Sequence, residues 1–187
     1  MRRLLAVALA AASLAGCYAP PPTFGELPDF SLSAVSAGTA AKPISRADLL
    51  GRVWVTDFIF THCEGPCPAL SNDMARLQKD LPARVGLLTI TVDPERDDAK
   101  VLSEYAKHFG ADPDRWLFVT GPQGAVVDLL TRGFKLPAFK DAKAPSGRRV
   151  THSTRLVLVD AKGRLRGYFD GQDEGELQTL RRVATRL

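Results

Sequence analysis
Apolar and polar positions along this chain switch between the period of a strand and the period of a helix, and each switch marks an element. Val53 to Phe60 is a β-branched and aromatic run that reads as a buried strand, after which Leu70, Met74, Leu77 and Leu81 recur at the spacing of one helix face. Val85 to Val92 reads as a second central strand. Asp93-Pro94 is expected to open a helix reaching about Phe109, with Asp93 as N-cap and Pro94 at the first helical position. Trp116 to Val119 is a short strand and Gly121 to Thr131 a further helix. Leu156 to Val159 and Leu165 to Phe169, joined through Lys162-Gly163, read as a hairpin, and Glu174 to Arg186 closes the chain as a helix. A hairpin around Phe30 to Ile44 is more weakly marked. This alternation of strands and helices implies an α/β domain.

The first residues follow another logic. Arg2 and Arg3 precede an apolar stretch from Leu4 to Ala12 that is too short to span a bilayer, which is the layout of an export signal. It ends in Leu14-Ala15-Gly16-Cys17, which resembles a bacterial lipobox, so Cys17 is expected to carry lipid and become the new N-terminus. Residues 1–16 are read as signal peptide and 17–23 as lipidated cysteine plus spacer, since Ala19-Pro20-Pro21-Pro22-Thr23 favours an extended, semi-rigid backbone. Residues 24–187 are read as one domain, long enough for a single core. The expected location is extracytoplasmic, tethered to a membrane facing the periplasm or its equivalent.

Composition narrows the chemistry. The formal charge of +4 includes Arg2 and Arg3, which leave with the signal, so the domain lacks the basic excess of a nucleic-acid binder. Of the three cysteines, lipidation of Cys17 leaves only Cys63 and Cys67, too few for a disulfide-stapled scaffold. These two sit in Cys63-Glu64-Gly65-Pro66-Cys67, where the first apolar strand gives way to a helix. A dithiol there serves as a redox pair, a soft-metal clamp or a plain disulfide. Cys67, at the helix start, is expected to be acidified by the helix dipole. His152, in Thr151-His152-Ser153, stands where thioredoxins place a proline before the strand facing the dithiol. The order of elements is thioredoxin-like: a central mixed sheet flanked by helices, with an N-terminal hairpin and an inserted loop before His152.

Three ordered segments are similar to the Sco/SenC family, whose members are accessory factors in assembly of the dinuclear copper centre of cytochrome c oxidase. They are Phe60-Thr61-His62-Cys63-Glu64-Gly65-Pro66-Cys67-Pro68, Thr91-Val92-Asp93-Pro94-Glu95-Arg96-Asp97, and His152-Ser153 ahead of Leu156-Val157-Leu158-Val159-Asp160. The resemblance implies that Cys63, Cys67 and His152 bind copper, as Cu(I) or Cu(II), and that the partner is the copper-site subunit of the oxidase or another copper protein. Glu64 stands where the family commonly has Pro, and Thr151 where it often has Asp. Two thiolates and an imidazole suit copper, whereas structural zinc usually takes four protein ligands.

Around this set, His62 is expected to point away from the dithiol as a surface residue, with fourth ligand as its secondary reading. Asp93 is read as a helix cap, with a secondary role near the metal, as a hydrogen-bond or docking partner, implied by the resemblance, and His108 as a solvated residue late in a helix. From Gly133 to Val150 the chain has no clear period and carries Lys135, Lys140, Lys143, Arg148 and Arg149. Such a loop either lets His152 approach and leave the cysteines and guides an acidic partner, or is a plain solvated insertion. The chain is thus expected to be a copper chaperone rather than an enzyme. The alternatives are an extracytoplasmic thiol-disulfide reductase acting on a partner's metal-site cysteines, or an adaptor lipoprotein with a structural disulfide.

Overall fold
The computed structural model describes residues 21–137 and 153–187, together with the backbone of 139–140 and 150–151. Cys17, the segment read as an export signal and His152 lie outside the described residues. Within them, the frame is an eight-stranded mixed sheet. Its strands are β1 (Gly25–Glu26), β2 (Ser31–Val35), β3 (Lys42–Ser45), β4 (Val53–Ile59), β5 (Val85–Thr91), β6 (Trp116–Thr120), β9 (Arg155–Val159) and β10 (Arg164–Asp170), ordered β1-β10-β9-β4-β5-β6-β2-β3. β7 (Phe139–Lys140) and β8 (Val150–Thr151) form a separate two-stranded ladder inside the loop read as aperiodic.

β4, β5 and β6 run parallel, and every residue of β4 and β5 is buried, as a strand covered on both faces requires. Their crossovers are α2 (Cys67–Asp80) and α3 (Ala99–His108). Both crossovers advance the same way across the sheet, so a common hand puts both helices on one face. The hydroxyls of Ser71 in α2 and Tyr105 in α3 meet at 2.8 Å. The closing helix α5 (Glu174–Arg186) joins α2 on that face through Arg181 Nε, 3.0 Å from Asp80 Oδ2. A short α1 (Arg46–Leu49) precedes β4. The helix α4 (Gln123–Asp128) widens into a π turn, Leu129–Gly133, after which Phe134 packs edge-on against Phe58 with ring centroids 5.0 Å apart.

The strands and helices read from the periodicity are present, including the N-terminal hairpin as β2–β3 and the terminal hairpin as β9–β10. The latter turns at Gly163, whose φ of 77° is a conformation only glycine adopts freely. Gly171, just past β10, packs so closely on Leu70 of α2 that a Cβ would collide with it, which lets the start of α2 settle on the end of the sheet.

One boundary differs from expectation. Asp93 does not cap a helix: residues 93–97 form a turn in which the amides of Arg96 and Asp97 both donate to the Asp93 carbonyl at 3.0 Å. The helix starts five residues later than expected, at Ala99, where Asp98 accepts from the Val101 amide at 2.8 Å. The run offers three aspartates, and the one free of other duties takes the cap. Asp98→Ala is therefore expected to lower stability in urea unfolding by about 1 kcal/mol. A loss well below that would show that Asp98 is not the functioning cap.

Candidate metal centre
The dithiol sits at the carboxyl ends of the parallel strands, where ligands gather in open α/β sheets. β4 ends at Ile59, the amide of Cys63 turns back to the carbonyl of Phe60 at 3.2 Å, and Cys67 is the first residue of α2. The two cysteines are not joined in a disulfide. Cys63 is half-buried and Cys67 fully buried. That burial overturns the acidified Cys67 expected from its position. Desolvation pushes its thiol well above the ordinary range, and a hydrogen bond with Cys63 and the negative charges of Cys63 and Asp57 push the same way.

Beneath α2 lies a carboxylate that the strand pattern concealed. Asp57 occupies the middle of β4 with no exposure. Its Oδ1 accepts from Thr89 Oγ1 at 2.5 Å, and Thr89 in turn accepts from Trp116 Nε1 at 2.7 Å. Oδ2 has no hydrogen-bond partner. Desolvation raises the Asp57 pKa from 3.8 to about 7, against the opposing hydrogen bond from Thr89. The signal was present in the sequence as the single charged residue in an otherwise apolar run, six positions before Cys63.

A second unforeseen residue organises the loop. Asp97 is fully buried and accepts the Thr61 amide at 3.0 Å, the Thr61 hydroxyl at 2.5 Å and the Thr91 hydroxyl at 2.5 Å. The cysteine loop is thereby fastened to the loop after β5. Thr91 Oγ1 also receives the Asp93 amide at 3.0 Å. Asp93 is 4% exposed, with Oδ2 facing Arg96 Nε at 3.6 Å and Oδ1 buried without a partner.

The remaining candidates separate clearly. His62 is exposed, and His108 packs edge-on against Phe109 at 4.9 Å. Among the described residues no three His, Cys, Asp or Glu side chains converge, so neither His62 nor Asp93 joins both thiols. His152 lies outside the described residues. β9 begins three positions after it, and the antiparallel register of Thr56 with Val157 brings the start of β9 to the cysteine-bearing end of β4. No described helix is long and apolar enough to cross a membrane.

The family model for SCO1/SenC matches residues 28–186, and the chain belongs to that family. It is 36% identical over 135 residues to a SCO1 protein homolog of Bacillus subtilis (strain 168), covering 70% of this chain and 68% of that protein. It is 32% identical over 132 residues to a putative copper-binding protein of Stutzerimonas stutzeri, covering 68% of this chain and 63% of the relative. The structure is similar to a SCO1/SenC family lipoprotein from Bacillus anthracis str. Ames, with a TM-score of 0.78 and 27% identity over 90% of this chain and 99% of the other. The thioredoxin-like fold is thus shared with solved members of the family.

Asp57 makes stability depend on pH with a definite sign. Its folded pKa lies above the unfolded value, so the folded state holds a proton that the unfolded state has lost between pH 3.8 and about 7. Stability is full below that window and falls as pH rises through it. In the reduced, metal-free protein, Asp57→Asn should remove this decline, so that the variant gains on wild type by on the order of a few kcal/mol between acid and pH 8. Parallel stability profiles for the two proteins would refute the assignment.

Proposed function
We propose that this protein is a copper-binding delivery protein in which reduced Cys63 and Cys67, with His152, hold copper as cargo. In this reading it is tethered by lipid at Cys17, and it delivers copper to, or prepares the thiols of, the dinuclear copper site of cytochrome c oxidase or another copper protein. The observation that carries this reading is the pair of reduced thiols at the β4–α2 junction, one buried and one half-exposed, beside the start of the strand that follows His152. Two thiols form a soft donor set that fits copper, and a neutral imidazole completes it in either oxidation state. Membership of the family and the copper-binding relative at 32% identity support the same reading. The lipoprotein among the structural neighbours supports the tether.

The geometry supports an order of events in transfer. Cys67 is enclosed, so a partner's thiolate or imidazole meets the cargo from the Cys63 side. Exchange begins with Cys63, and Cys67 lets go last. Binding releases the thiol protons, so affinity rises with pH.

The unequal exposure of the thiols also favours a second activity at the same site. As a thiolate, Cys63 attacks a partner's disulfide, releasing one partner thiolate and forming a mixed disulfide. Cys67, passing its proton to the departing partner sulfur, then attacks Cys63 and releases the second partner thiol; the partner leaves reduced by two electrons and Cys63–Cys67 leaves oxidised. This reductase activity and copper delivery use the dithiol in the same reduced state.

Anaerobic titration of the reduced protein tests the proposal. One copper is expected per chain, with a thiolate-to-Cu(II) charge-transfer band. Cys63→Ser and Cys67→Ser should each weaken binding by more than about a hundredfold, and His152→Ala should weaken Cu(II) binding most, since these losses exceed those of outer partners. Full-strength binding by all three variants would rule this site out. Turnover of a mixed disulfide by metal-free protein that binds no copper would leave the reductase reading alone.

A further inference from the structure
His62 stands outside the pair of thiols but is wired into the network that holds their loop. Its Nδ1 lies 3.1 Å from Thr61 Oγ1 and 4.0 Å from Asp97 Oδ1, while 60% of its side chain is exposed. The hydrogens in this network can be counted. An ionised carboxylate only accepts, and a hydroxyl has one hydrogen to give. The Thr61 hydroxyl spends its hydrogen on Asp97 Oδ1 at 2.5 Å, and the Thr91 hydroxyl spends its own on Oδ2 at 2.5 Å. Toward His62, Thr61 Oγ1 therefore offers only a lone pair, and the imidazole Nδ1 must donate. In the neutral ring the free lone pair is then on Nε2. A carboxylate that fixes the tautomer of an imidazole from behind is the outer arrangement of metal-binding histidines, here relayed through a hydroxyl.

We propose that His62 is a transfer ligand: Nε2 holds copper beside the Cys63 thiolate while the ion arrives at or leaves the buried site, and Thr61 with Asp97 positions the ring for this task. The proposal rests on the copper reading of Cys63 and Cys67. Cys63 is the outer thiol, and His62 is the exposed nitrogen donor next to it in the chain. Because His62 does not converge with both thiols, it adds nothing to a closed ligand set and serves the step before it closes or after it opens. The step is a ligand exchange, so copper keeps its oxidation state and no electron moves: on arrival the Nε2–copper bond forms as a bond to the donor molecule breaks, and on departure it forms as a thiolate–copper bond of this protein breaks and is itself broken as the acceptor's bond forms. An ordinary surface histidine capped by Thr61 would show the same tautomer but would leave the rate of transfer untouched.

The test uses the full chain, reduced. In metal-free protein with ¹⁵N-labelled histidine, NMR should report the Nδ1–H tautomer for His62, lost in Thr61→Val and retained in Thr61→Ser. Stopped-flow transfer of Cu(I) to bathocuproine disulfonate should slow about tenfold in His62→Ala and in Thr61→Val, the scale set by loss of outer partners of metal ligands. Thr61→Ser and the control His108→Ala should transfer at the wild-type rate. An Nε2–H tautomer in the wild type, or an unchanged rate for His62→Ala in protein that binds Cu(I), would overturn the transfer role while leaving the dithiol site intact. Failure of the wild type to take up Cu(I) would defeat the copper reading itself, and the transfer role with it.

Discussion
A buried carboxylate holds the working end of this protein together. Asp97 sits without exposure at the edge of an apolar sheet, a place where an unpaired charge would cost several kcal/mol. It is tolerated because hydrogens converge on it from two loops: amide and hydroxyl from Thr61, hydroxyl from Thr91. Charge-assisted bonds of this kind are the stronger class. The loop bearing Cys63 is therefore pinned to the loop after β5, helix α3 is postponed to Asp98, and Asp93 is left buried with one oxygen unpartnered.

From that clamp outward, the two sulfurs and the His62 ring form a gradient of exposure: Cys67 enclosed, Cys63 half-buried, His62 in solvent. The gradient has an electrostatic counterpart. A thiolate at Cys67 would be poorly solvated and would face the charges of Cys63 and Asp57. Tyr105, whose hydroxyl pairs with Ser71 at 2.8 Å, is raised in pKa by its own burial and by those same neighbours. The region beneath α2 thus resists free negative charge. What it accepts at Cys67 is a neutral thiol or a sulfur bonded to something else, a disulfide partner or a metal ion whose charge offsets the sulfur's. The helix dipole, which suggested an acidic Cys67, is outweighed because it acts on a group that water cannot reach.

The elements most legible in the sequence were those whose period reports burial directly. β4, α2, β5 and α5 each present a continuous apolar run or face, and the structure places them where the pattern did. The dithiol was legible for the same reason, since it falls at the change of period between β4 and α2. Less legible were features governed by hydrogen bonding rather than by hydrophobic pattern. Asp93, Asp97 and Asp98 are the same residue type within six positions, and composition cannot say which two turn inward and which one caps a helix. Asp57 was hidden by its company, because a strand of otherwise apolar residues reads as buried whether or not it contains one carboxylate. β1 and the β7–β8 ladder are two residues long, too short for any period to register.

The route by which the chain enters the domain bears on how this site is presented. Arg166, at the bulge in β10, is buried; its Nη1 lies 3.1 Å from Asp160 Oδ2 and its Nη2 donates to the carbonyl of Pro21. Asp160 directly follows β9, whose last residue, Val159, pairs with Trp54 near the start of β4. The cysteine loop leaves the other end of that same strand. β4 has seven residues, so its two ends lie about 20 Å apart at the rise of an extended chain. The chain is thus gripped at one pole of the sheet and exposes its chemistry at the other. A buried arginine needs partners for its charge, and here the partners are the hairpin turn and the incoming backbone. The contacts of the two Arg166 Nη atoms therefore also hold the first described residues at the pole of the sheet opposite the thiols.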